Sequence, residues 1–298
     1  MVSKKKISIY VCAIALLFWT LFPIYTLVLT SIEQQVELVS APPHWIPESP
    51  TASNYLQLLG ITPAVSGMMM GTVETLRVGL LNSIIIALAV TGIATLVSAF
   101  AGFAFGRYRF RGKMQMLFAI LFSRLLPSVA MIIPFFYLFN QLGLLATQQA
   151  LIITYLSFSI PLATWVLLGF FATLPSEMIK SARIDGCSRT SSILRIAMPM
   201  SRAGIVAVAI LVFIGCWNEF FFALMLNGGT PAQTIPPAVA SLFGVQGGIN
   251  QLGQPAIAAA TAISLAPVLV LGLIFQRYVT RLRIVDPVTI ALELPEGA

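Results

Sequence analysis

Two ionisable side chains interrupt otherwise apolar stretches of this chain. Arg124 lies in the run from about Met114 to Phe139, and Glu219 in the run from about Gly204 to Leu226. Arg124 falls about ten residues into its run, ~15 Å along a helix. Charge at such a depth is costly in a membrane and ordinarily faces a bundle interior or a water-filled path. With Asn218 beside Glu219, these residues are candidates to line a polar path for a solute. The competing reading is structural: a mutual pair, or hydrogen bonds to backbone opened by Pro127 and Pro134. The aromatic run Trp217, Phe220, Phe221 and Phe222 can stack on sugar faces, and it equally fits helix packing or an interfacial belt. The sequence leaves both pairs of readings open.

Groups for hydrolytic or covalent chemistry are missing from the sequence. It has no His-Glu-x-x-His, no Gly-x-Ser-x-Gly and no paired aspartates within an apolar run. The single histidine, His44, cannot build a His-based metal site by itself. Cys12, Cys187 and Cys216 do not make a disulfide framework and read as free thiols. There is no Gly-x-x-x-x-Gly-Lys-Ser/Thr loop to cradle phosphates. Any energy for transport must therefore come from another chain or from an ion gradient.

The most distinctive polar stretch is Leu174 to Pro199, LPSEMIKSARIDGCSRTSSILRIAMP. Met178, Ser181 and Ala182 fall at helical spacing. Asp185-Gly186 ends that first short helix, because glycine accepts the left-handed conformation. Ser188 or Ser191 can cap a second, with Ile193, Ile196 and Ala197 on one side and Pro199 bending or ending it. A helical hairpin between two apolar runs is a docking element for a soluble partner, or an ordinary loop on a membrane surface.

The elements that position these residues follow from composition. The 298-residue chain is 58% hydrophobic, only 9% charged, and has mean hydropathy +0.93. Soluble domains carry about 25% charged residues, so an all-α integral membrane protein is expected. Six spans are read: Ile7–Ser31, about Val78–Phe105, Met114–Phe139 interrupted by Pro127 and Pro134, Ala150–Phe171, Gly204–Leu226 and Ala256–Phe275. The first is too long for a signal-peptide core and reads as a retained helix. The second is dense in Ala, Gly and Ser, which lets helices approach closely. The expected division is residues 1–31 for the N-terminal tail and first helix, 32–74 for a proline-rich external loop and 75–278 for a core of five helices. Residues 279–298 form a tail.

Charge fixes the expected orientation. Of the 17 Lys and Arg residues, 15 flank the same ends of the spans, including Lys4–Lys6, Arg107–Lys113 and Lys180–Arg202. The positive-inside rule puts both termini and residues 174–199 in the cytoplasm. It also turns the net charge of +7 away from nucleic acid and toward anionic membrane lipid.

The Leu174–Pro199 stretch resembles the EAA loop of ABC importer permeases, in which Glu-Ala-Ala, three residues, Gly, nine residues and Ile-x-Leu-Pro follow one another. Ser181, Ala182 and Gly186 fit its first half, with Asp185 before the glycine as in the sugar-importer branch. Ile196 and Met198-Pro199 close it. Lys180 and Ser181 stand where the family usually has Glu and Ala. Further pieces fit in order: Pro43-His44-Trp45-Ile46-Pro47 with Asn54-Tyr55, Asn82-Ser83, Ala101-Gly102-Phe103-Ala104 leading to Arg107, Trp217-Asn218-Glu219-Phe220, and Thr234-Ile235-Pro236. Over residues 10 to 280 the chain is similar to the MalG-like permeases of carbohydrate importers. The tail from Arg281-Leu282-Arg283 departs from the family's short Gly-rich ending.

That resemblance implies a type I ABC importer permease fold in a bacterial inner membrane. It implies a second permease subunit as heterodimer partner, two ATPase subunits and an external solute-binding protein delivering a sugar. ATP and magnesium would be bound by the ATPase, and no cofactor by this chain. The loop residues implied to couple to the ATPase are Met178, Lys180, Ser181, Ala182, Asp185, Gly186, Ile196 and Pro199. Arg124, Trp217, Asn218 and Glu219 are the candidate solute path. Other readings are an ion-coupled secondary transporter, a glycerol-phosphate-type importer subunit, an integral membrane enzyme and a non-transporting scaffold. The proline-broken helices suit the first of these, but no convincing inverted repeat supports it.

Overall fold

A computed structural model describes residues 4–38, 45–62, 67–244 and 248–279. Among them all regular structure is helical. Pro42, Pro43, His44, Arg281, Arg283 and the rest of the C-terminal tail lie outside the described residues. The chain divides into two compact units, one of residues 1–80 and 237–267, the other of residues 81–236 and 268–298.

In the first unit, α1 (Lys4–Ile32) is a single helix despite Pro23. From Ser8 to Pro23 its side chains are all exposed, Trp19 by 81%, and its last turns are partly buried. An apolar stretch exposed in this way is stable only if lipid or another chain covers it. After it come the short helices α2 (Gln35–Leu38) and α3 (Ser53–Leu58). The α3 end is tied to the end of α1. The Asn54 amide donates to the Ser31 and Glu33 carbonyls (3.0 and 3.3 Å), and the Ser31 and Tyr55 hydroxyls meet at 2.6 Å. Further along, Gln35 Oε1 accepts from the Gln254 N–H at 3.1 Å.

α4 (Gly67–Arg107) begins well before the expected second span and shortens the external loop expected at 32–74. Its first turns carry Thr72, Glu74 and Arg77, which read as loop. Glu74 and Arg77 are accommodated on an exposed helical face, where they approach at 3.9 Å one turn apart.

In the second unit α7 (Gln148–Ala172) is the central helix. Thr147 caps it, accepting from the Ala150 N–H. α4 lies against it through small residues. A Cβ on Gly102 would stand 3.0 Å from Leu167 and from the Leu168 backbone, and one on Gly106 would stand 3.2 Å from the Leu168 carbonyl. A larger residue at either position would require the α7 backbone to give way. Phe103 packs edge-on against Phe171.

The expected third span is two helices, α5 (Lys113–Phe122) and α6 (Ser128–Gln141). The break falls before Pro127, whose ring disfavours helical backbone in the residue ahead of it. Pro134 sits within α6 without ending it. The polar stretch forms α8 (Ser176–Ile184), α9 (Arg189–Ser192), a π-helical turn at Ile193–Ala197 and α10 (Met198–Met200).

The expected fifth span is α11 (Arg202–Trp217) and α12 (Phe221–Asn227), broken at Asn218–Phe220. α11 packs on α7, and α12 on α6 and α7. The segment expected as loop before the last span contains α13 (Ile235–Gly244), and α14 (Gly248–Val279) starts before Ala256. Among the described residues, four helices are long and apolar enough to cross a membrane, within α1, α4, α7 and α14. The segment from Arg189 through α11, bent by 82° near Ser201, makes a fifth if counted as one span. The bend falls at Ser201, two residues after Pro199, which sits near the end of the continuous Arg189–Met200 helix.

Candidate functional site

The α5–α6 break sets Arg124 in a tight turn. Its N–H donates to Leu121 and that of Leu125 to Phe122. Ser128 opens α6, which has no side-chain cap. The Arg124 side chain reaches α7, where Nη1 donates to the Phe158 carbonyl at 3.1 Å. Nearby Ser98 of α4 donates to Ile160 at 3.1 Å. Both contacts lie around Pro161, which removes an N–H from the α7 ladder and loosens it.

The α11–α12 break is organised by Glu219. Its Oε1 accepts from the Phe222 N–H at 3.0 Å, and its Oε2 from the Ala223 N–H at 3.1 Å. The Tyr155 hydroxyl of α7 donates to Oε2 at 2.7 Å. The carboxylate therefore satisfies two of the N–H groups that open α12 and pins the break to the central helix. Such charge-assisted bonds are about twice as strong as neutral ones.

Arg124 and Glu219 face one cavity of about 290 Å³. Ser128, Tyr155, Phe158, Ser159, Cys216 and Phe222 also line it. Phe158 and Phe222 form an aromatic wall, their centroids 5.3 Å apart and each 5.8–6.1 Å from Phe135. The two charged residues are not a mutual pair: each has its own partners, and among the described residues no carboxylate pairs with Arg124. The remaining path candidates lie elsewhere. Trp217 is 2% exposed and stacks on Phe213, and Asn218 is exposed but outside the cavity lining. Helix rotation explains this, because adjacent residues of a helix end point about 100° apart.

The Leu174–Pro199 segment is built as a closed hairpin. α8 ends in a Schellman motif: the Gly186 N–H donates to Arg183 at 3.2 Å and the Cys187 N–H to Ala182 at 2.9 Å. Gly186 has φ +85°, the left-handed value that glycine adopts freely. Ser188 Oγ accepts from the Ser191 N–H at 3.1 Å and caps α9. Ala182, Ile193 and Ala197 are buried and Ile196 half-buried, while Met178, Lys180, Ser181, Asp185 and Pro199 are exposed. Ile184 is 86% exposed at the tip.

The hairpin is fastened to the end of α4. Arg107 donates to the Leu174 carbonyl, and the Arg189 guanidinium lies 5.6 Å over the Tyr108 ring. At its start, Glu177 is held below the usual carboxylate range by its own backbone N–H and by the Ser176 hydroxyl.

A second buried polar cluster joins Asn82-Ser83 to the 231–235 segment, two pieces the sequence reading names without connecting them. Asn82 of α4 donates to the Pro231 and Gln233 carbonyls (2.9 and 2.8 Å) and accepts from Gln148 Nε2 at 2.6 Å. Ser83 accepts from the Ile235 N–H, and Asn227 donates to Thr147 and Ala232. These bonds clasp the 228–234 turn onto α4 and α7. Among the described residues no group of three or more His, Cys, Asp or Glu side chains is placed to hold a metal ion.

Of the cavity's other lining residues the sequence reading singles out Phe222 for stacking on a sugar; those of α7 escaped, although Tyr155, Phe158, Ser159 and Leu162 recur at i, i+3, i+4 and i+7. Leu211, Gly215 and Glu219 recur at every fourth position. That spacing could have marked one shared face.

Comparison with known proteins places these features in a family. Residues 94–284 match the family described as binding-protein-dependent transport system inner membrane component. A sulfoquinovosyl glycerol transport system permease protein of Agrobacterium fabrum is 30% identical over 270 residues, 91% of this chain and 89% of the relative. The trehalose/maltose transport system permease protein MalG of Thermococcus litoralis is 30% identical over 275 residues, 92% and 94% of the two chains. The trehalose transport system permease protein SugB of Mycobacterium tuberculosis is 36% identical over 200 residues, 66% and 72%.

A crystal structure of a bacterial ABC transporter involved in import of the acidic polysaccharide alginate superposes with TM-score 0.72 at 19% identity. It covers 93% of this chain and 99% of its own. By sequence and by fold, then, this chain belongs to the family of inner membrane components of binding-protein-dependent transport systems.

Proposed function

We propose that the chain is one of two permease subunits of an ATP-driven importer for a sugar or oligosaccharide, and that its Leu174–Pro199 hairpin couples the ATPase to the membrane helices. The permease names of the relatives, given for sulfoquinovosyl glycerol, trehalose and maltose, support the sugar assignment. In this reading the complex also holds a partner permease, two ATPase chains that bind ATP and magnesium, and an external solute-binding protein. The α5–α6 pair and the bent segment into α11 supply the two crossings beyond the four long helices, which makes six. The distribution of Lys and Arg then puts both termini and the hairpin in the cytoplasm.

The observation that carries the coupling role is the hairpin itself. It exposes Met178 and Ile184 on a rigid, Schellman-closed helix, while Arg107 and Arg189 fasten it to the end of α4. A push on α8 is thereby delivered to α4 and, through α10, to α11. An ion-coupled carrier has no use for such an element. The test is Gly186→Asp. A side chain at φ +85° strains the motif by about 1–2 kcal/mol and adds charge beside Asp185. Uptake should be lost while the protein still inserts and assembles; normal uptake by this variant would refute the coupling role.

A further inference from the structure

The cavity between α6, α7 and α11 contains two opposite charges, and they are unequally occupied. Glu219 is fully engaged: Tyr155, Phe222 and Ala223 all donate to its two oxygens. Its charge is met where it sits. Arg124 spends one donor on the Phe158 carbonyl and is otherwise exposed. A guanidinium has five N–H donors in a planar fork that matches carboxylate, sulfonate or phosphate oxygens two at a time.

Ser128 and Ser159 add hydroxyls to the lining, and the positive end of the α6 dipole adds to the field of the same sign. The Phe158 and Phe222 rings line the same space, an apolar wall on which the C–H face of a sugar ring can rest. At about 290 Å³ the space is at the lower end of small-molecule sites. It suits one ring with its charged substituent rather than a whole oligosaccharide.

We propose that this cavity is a solute subsite selective for an acidic sugar unit, with Arg124 binding its carboxylate, sulfonate or phosphate and Phe158 and Phe222 carrying the ring. The assignment rests on the importer reading above and narrows its substrate class. A neutral sugar would leave the free Arg124 donors unanswered by the solute. The same oxyanion chemistry is offered by a lipid headgroup, so the test must separate the two sources.

The complete permease–ATPase complex is placed in nanodiscs of phosphatidylcholine and titrated with methyl glucuronide and with methyl glucoside. Binding is followed by calorimetry. The acidic probe should bind at least tenfold more tightly, and the preference should weaken in higher salt. Arg124→Gln should abolish the preference, and Arg124→Lys should keep part of it, because it retains charge without the fork. Equal binding of both probes, binding of neither, or an undiminished preference in Arg124→Gln overturns the subsite.

If phosphatidylglycerol in the disc removes the acidic preference, the group at Arg124 is a lipid headgroup and the solute assignment falls. Should Arg124→Gln fail to assemble, the two probes on the wild-type complex still decide. ATP hydrolysis and ATP-driven uptake by the same complex report on the importer reading separately. Their loss would sink that reading, whereas active complex with no acidic preference would sink the subsite alone.

Discussion

Glu219→Gln is a near-isosteric change whose cost follows from three hydrogen bonds. The carboxylate accepts from Phe222 on one oxygen and from Ala223 and Tyr155 on the other. Glutamine has one acceptor oxygen and an NH2. With its oxygen in the Oε2 place it keeps Tyr155 and Ala223, but its NH2 then faces the Phe222 N–H, donor against donor. One charge-assisted bond is lost, worth about 1.5–3 kcal/mol, and the half-buried N–H is left unmet. The two surviving bonds become neutral and weaker. The sum is about 3 kcal/mol of destabilisation at the α11–α12 break. Tyr155→Phe removes a single donor from a carboxylate that keeps two, and should cost about 1–2 kcal/mol. Because the two side chains share a bond, the double variant should cost less than the sum. Unfolding of detergent-solubilised protein, followed by denaturant titration, measures all three. A Glu219→Gln protein as stable as wild type would refute the view that Glu219 holds the break together.

Asn82→Ala removes three hydrogen bonds from a buried site and leaves the Gln148 amide and two carbonyls without that partner. It should cost about 3 kcal/mol in the same titration, and a loss below about 1 kcal/mol would contradict the clasp. At Gly186, asparagine tolerates the left-handed conformation better than aspartate or a β-branched residue. Gly186→Asn should therefore keep part of the uptake while Gly186→Asp and Gly186→Val lose it, with the protein inserted in each case; loss in Gly186→Asn equal to that in Gly186→Val would count against the Schellman geometry.

Helices α1, α7 and the body of α14 were legible in the sequence, since long apolar runs can do little else in a bilayer. The hairpin was legible for a different reason. Its Gly186, Ser188 and alternation of exposed and buried residues are local signals, and the structure uses Gly186 as the left-handed residue and Ser188 as the cap. What escaped depends on partners distant in sequence. Trp-Asn-Glu-Phe continues an apolar run, so nothing local announces that Glu219 ends one helix and starts another. The Tyr155 hydroxyl, 64 residues away, completes the set of donors that holds Glu219 at the break.

Pro236 and Pro237 read as loop but occupy the first turn of α13, where proline is tolerated. Likewise Glu74 and Arg77 suggested a loop ahead of α4 and proved to be an exposed helical pair. The cavity was half legible. Arg124 and Glu219 stood out by charge, whereas Trp217 and Asn218, adjacent in sequence, were carried off by helix rotation.

The most direct measurement is purification of the tagged full-length chain in mild detergent, with identification of what remains bound and assay of reconstituted vesicles. A second permease and an ATPase should co-purify, and uptake should need ATP and be blocked by vanadate. A chain that emerges alone or with copies of itself, and takes up solute on an ion gradient without ATP, would contradict the importer assignment.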